Sequence, residues 1–169
     1  MNTTRRIIIA VIIIVAVVGT ILVIQSSRRG GYLYRTCNTG EKQFTEGCVP
    51  VNSAGKLLAN FCQKDTAGLA KTSFQDKAEN KKQEGWLLRD ILLLYVKKEE
   101  MSPDTAVTVA SSSRGKKAEL KWKDIADAQN KIILAVSKQG TLKLASAMKN
   151  LDTRESWVQD IDRIEIARK

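Results

Sequence analysis

The chain is 169 residues long, carries a formal net charge of +10 at neutral pH and contains no histidine. That length suits one domain with an appendage rather than two ordinary domains. The missing histidine excludes Ser-His-Asp and Cys-His catalysis and removes the commonest metal ligand, while the basic balance favours an anionic partner such as lipid head groups, a cell-wall polymer or nucleic acid.

The first element is an uncharged run from Ile7 to Ile24, about 27 Å as a helix and close to the hydrocarbon thickness of a bilayer. It reads as a single-pass transmembrane signal-anchor over residues 1–27, with a cleaved signal peptide as the rival. Arg5 and Arg6 on one side face Arg28, Arg29 and Arg35 on the other, so the positive-inside count nearly cancels. The very short leading flank suits an N-terminus inside and a domain outside the cell membrane, with Arg28, Arg29 and Arg35 placed to meet anionic lipid.

Residues 28–56 are rich in Gly, Ser, Thr and Asn and read as a tether or lead-in. Cys37 and Cys48 stand there, and a disulfide between them would close a small loop in an oxidising compartment. Unpaired thiols are the other reading, and Cys62 is left over from the three cysteines in either case.

The domain proper is expected over residues 57–169. Leu57, Leu58 and Phe61 have the spacing of one or two helical turns on a core. The polar stretch from Lys71 to Gly85 reads as a lysine-rich edge hairpin about Ala78-Glu79-Asn80, its lysines guarding the edge against strand addition. Gly85 to Tyr95 places Leu88, Ile91, Leu92 and Tyr95 on one face and predicts the main core helix, ended before Pro103. Beyond Pro103 the period becomes two. Val107 and Val109 predict one strand, Ala118, Leu120 and Trp122 another, and Asp124 to Gln129 a helical turn. Ile132 to Val136, Leu142 with Leu144, and Ile164 with Ile166 predict three more strands. The expected fold class is therefore α+β: an N-terminal transmembrane helix followed by a small mixed, β-rich domain of about seven short strands with one main core helix.

Three stretches occur in an order that resembles the oxidoreductase molybdopterin-binding domain of the sulfite-oxidase-like family. They are Gly85-x-x-Leu88-Arg89-Asp90-Ile91-Leu92, the region from Thr105 through Trp122 and Asp124 to Val136, and Trp157-Val158-x-x-Ile161-x-x-Ile164-Glu165. The likeness covers roughly residues 71–167 and implies a reduced form of that fold. In the family a cysteine upstream of the G-x-x-L motif holds molybdenum, which makes Cys62 the cofactor and metal ligand that the resemblance implies. The histidine, arginine and aromatic side chains that surround the pterin in the family are missing after Cys62.

Function follows from that balance. The leading expectation is a membrane-anchored, extracytoplasmic binding or interaction module without a cofactor, meeting another membrane or extracytoplasmic protein. The alternative is a molybdopterin-dependent oxidoreductase or redox-partner subunit using Cys62. Nucleic acid is disfavoured because the lysines alternate with Glu79, Glu84, Glu119 and Asp124. The acid pairs Glu99-Glu100 and Asp160-Asp162 read as solvated, and Trp122 and Trp157 as core.

Overall fold

A computed structural model describes residues 47–76 and 79–167. Its strands form two five-stranded sheets that share one hydrophobic core.

The first sheet has the order β2-β1-β10-β5-β6. Strand β1 (Val49–Ser53) buries Val49 and Val51 by simple alternation and turns at Ala54 and Gly55 into β2 (Lys56–Phe61). Both turn residues have positive φ, 49° and 74°, the pattern of a type I′ hairpin turn. Strand β10 (Arg163–Ala167) lies parallel to β1 and antiparallel to β5 (Ala106–Ser111), which pairs with β6 (Lys116–Lys121). The register aligns Val51, Ile164, Val109 and Ala118 in a row across four strands, all buried. Fixing that row brings together β1 and β10, which are far apart in sequence.

The second sheet is antiparallel throughout, in the order β3 (Lys71–Gln75), β4 (Lys82–Leu87), β7 (Ile133–Val136), β8 (Leu142–Ala145) and β9 (Val158–Gln159). Trp86, Leu134, Leu144 and Val158 make its buried row. The two helices follow a common plan. Strand β4 runs straight into α1 (Leu88–Leu92) and β6 straight into α2 (Trp122–Ala126), and each helix reads apolar, basic, Asp, Ile, apolar. Leu88 and Ile91, and likewise Trp122 and Ile125, face the core. Arg89 Nη1 donates to the Ala126 carbonyl at 3.2 Å, tying one helix to the other.

Three expectations are corrected here. The main core helix shrinks to the five residues of α1, because Trp86 pairs with Lys71 on one side and Leu134 on the other and so belongs to a strand. Strand pairing at Gly85 to Leu87 overrides the helical spacing of the same residues. The α+β fold class with one main helix therefore gives way to a β-rich domain with short helices. Second, among the described residues no helix is long and apolar enough to cross a membrane. The transmembrane, single-pass part of the expected architecture has no counterpart among them; the run Ile7 to Ile24, and with it Arg28, Arg29, Arg35 and Cys37, lies outside the described residues. Third, Leu57 and Leu58 sit on edge strand β2 and are exposed, while Phe61 alone turns inward. Residues 49–53, in the stretch read as a lead-in, are β1 itself.

Candidate functional site

The residue nominated by the family resemblance is at the base of the β1–β2 hairpin. Cys62 Sγ is bonded to Cys48 Sγ at 2.00 Å, with the Cα atoms 4.3 Å apart. Strand pairing explains the choice of partner: Val49 opposes Phe61, so the flanking positions 48 and 62 are brought face to face. The Cys37–Cys48 disulfide is accordingly corrected to Cys48–Cys62. A sulfur held in a disulfide offers no thiolate, so Cys62 does not fit the role of a molybdenum ligand in this state. Its surroundings are structural as well. The Asp65 carboxylate accepts from the Cys62 N–H at 2.7 Å and from the Tyr95 hydroxyl at 2.9 Å, which pins the hairpin to the segment after α1. Burial, and then the Asp65 carboxylate, push the Tyr95 phenol above its ordinary range. No group of three or more acidic or cysteine side chains is placed to hold a metal ion among the described residues.

The other acid pairs are also accounted for. Glu99 and Glu100 are exposed. Asp160 accepts from the Thr141 hydroxyl at 2.7 Å and from Arg114 Nε at 2.6 Å, and both donors lower its pKa. Asp162 accepts from the Ser112 N–H at 2.7 Å. These two carboxylates fasten the link between β9 and β10 onto the neighbouring turns.

A different feature gathers chemistry. Strands β4 and β7 pair at Trp86–Leu134 and Leu87–Ile133, Leu88 N–H donates to the Ile132 carbonyl at 2.9 Å on one side of these rungs, and the strands cross closely at Gly85 on the other. Gly85 makes the crossing possible, because a Cβ there would lie 2.2 Å from the Leu134 carbonyl oxygen. Beside this crossing lies a cleft of about 370 Å³ lined by Lys71, Lys82, Gln83, Glu84, Trp86 and Lys143 among others. A second hollow of about 450 Å³ shares Lys82, Gln83, Val136 and Lys143 with it and adds Lys81, Lys138, Arg154 and Trp157.

No protein-family model matches the chain, and no curated protein matches it in sequence.

The electrostatics of this groove is one-sided. Six cationic side chains line it against Glu84, whose carboxylate sits 3.0 Å from Lys82 and is held below the usual carboxylate range by that hydrogen bond. Glu79 pairs with Lys81 at 2.7 Å and with Arg154. Lys71 lies 5.4 Å from the centre of the Trp86 ring and Lys143 5.3 Å from that of Trp157. Lys143 also donates to Gln83 Oε1 at 2.7 Å, which leaves the Gln83 amide with its N–H donors to offer. In chemical terms the groove is a predominantly polar surface of hydrogen-bond donors and positive charges.

The sequence reads Lys81 and Lys82 as edge-guarding and assigns no site role to Lys71, Lys138 or Lys143. The edge hairpin itself is present, with β3 at the sheet margin. The charged groove escaped notice because it is assembled from five strands whose order is invisible in a linear reading.

Proposed function

We propose that this domain is a binding module for anionic ligands, acting through the lysine-lined groove on the second sheet and without a cofactor. The observation that carries the reading is the convergence of Lys71, Lys82, Lys138 and Lys143 on two adjoining hollows, where charges close together raise the local concentration of anions. The disulfide between Cys48 and Cys62 supports a place in an oxidising, extracytoplasmic compartment. In this reading the likeness to molybdopterin-binding domains concerns scaffold and not chemistry, because Cys62 is engaged elsewhere.

Calorimetric titration of the full-length protein with pyrophosphate or inorganic polyphosphate tests it. Replacing Lys82 and Lys138 by alanine is expected to weaken binding at least tenfold. Replacing Lys117 and Lys121, which remove the same charge from β6 and pair with Glu119 and Asp104, is expected to change it less than twofold. Equal losses from both pairs would reduce the effect to net charge and overturn the assignment to the groove.

A further inference from the structure

Resting on the groove reading above, we propose that the ligand is a linear, acyclic phosphate chain that spans both hollows. Four observations converge on it. The two hollows adjoin and share Lys82, Gln83, Val136 and Lys143 in their lining, so one small anion would occupy only part of the charged surface. The indoles of Trp86 and Trp157 are 4% and 1% exposed and have lysine ammonium groups over them. They leave no open platform for a nucleobase, and stacking on aromatic faces is what single-stranded nucleic-acid sites rely on.

The kind of cation matters too. Five of the six are lysines, and the one arginine, Arg154, is paired with Glu79. The guanidinium fork matches one carboxylate or phosphate group in a fixed geometry, whereas an ammonium group is a point charge that serves successive phosphate oxygens from any direction. The Gln83 amide adds a neutral donor between the hollows. The competing internal acid, Glu84, is half exposed in its pair with Lys82, and such pairs contribute little. A chain of phosphates can displace it by presenting several charges at once, releasing counterions as it binds.

The test uses the full-length protein and measures affinity at fixed salt for orthophosphate, tripolyphosphate, long-chain polyphosphate and poly(glycerol phosphate). Poly-L-glutamate and oligothymidylate of matched charge are run beside them. Affinity is expected to rise at least tenfold from orthophosphate to the long chains. Lys138→Ala, which touches only the second hollow, is expected to weaken long chains about threefold to tenfold and to leave orthophosphate unchanged. Tight binding of polyphosphate or of poly(glycerol phosphate) supports the proposal and separates the two sources of the chain. Affinity independent of length overturns the chain while leaving an anion site. Poly-L-glutamate or oligothymidylate binding as tightly as the phosphate chains overturns the ligand class. Binding of none of these anions overturns the groove reading as well.

Discussion

Gly85→Ala is the substitution whose cost can be worked most directly from the geometry. A Cβ on Gly85 would stand 2.2 Å from the Leu134 oxygen, 2.8 Å from its carbonyl carbon and 2.9 Å from the Ala135 Cα, all backbone atoms. Ordinary contact begins at 3.4 Å, so β4 and β7 must part by 3.4 − 2.2 = 1.2 Å at the point where their pairing is only two rungs long. Overpacking of this kind costs about 1–3 kcal/mol, and loosening a backbone hydrogen bond beside it about 1 kcal/mol more. The expected loss is about 3 kcal/mol, read from urea unfolding followed by tryptophan fluorescence. Gly68→Ala is the control. A Cβ there meets nothing within 4 Å and the backbone is not left-handed, so its effect should stay within about 0.5 kcal/mol. A Gly85→Ala protein as stable as the Gly68→Ala protein would refute the close crossing of β4 over β7 beside the cleft.

Two further perturbations probe the elements around the groove-bearing sheet. Reducing the disulfide, or replacing Cys48 and Cys62 together by serine, removes a closure across a sequence separation of 14 and should cost about 3 kcal/mol, measured as a fall in the urea midpoint. An unchanged midpoint under reductant would argue against this pairing. Tyr95→Phe deletes the hydroxyl that donates to Asp65 and should cost about 1–2 kcal/mol near neutral pH. Because the folded-state pKa of Tyr95 is raised, its contribution is complete below the unfolded value of about 10 and is lost as pH climbs beyond it. The gap between wild type and variant should therefore narrow progressively as pH rises above about 10, and a gap that widens there would contradict the contact.

Much of the second half of the domain is legible from alternation. Val107 with Val109, Ala118 with Leu120, and Ile164 with Ile166 are strand faces because every second residue is apolar, and they are buried as that pattern requires. The first half is less legible for two physical reasons. Strand β1 is a five-residue segment containing Pro50 and Asn52, and it becomes a strand through β10, which arrives from the far end of the chain. The stretch from Gly85 to Tyr95 has helical spacing, and only the cross-strand neighbours of Trp86 place its first residues in β4. Cys62 invited a ligand role by analogy, whereas the facing of Val49 and Phe61 assigns it to Cys48. The groove draws on Lys71, Lys82 and Lys143 from three strands, so no local motif announces it.

The central claim is that anions collect in the lysine-lined groove on the second sheet. Amide chemical shifts of the isotope-labelled full-length protein, followed during titration with long-chain polyphosphate, test it most directly. Saturable shifts are expected at Lys71, Gln83, Gly85, Val136 and Lys143, with the amides of β2 and β6 unmoved. Shifts spread evenly over Lys56, Lys117 and Lys121 and rising without saturation would contradict the claim, because they would mark a diffuse positive surface instead of a site.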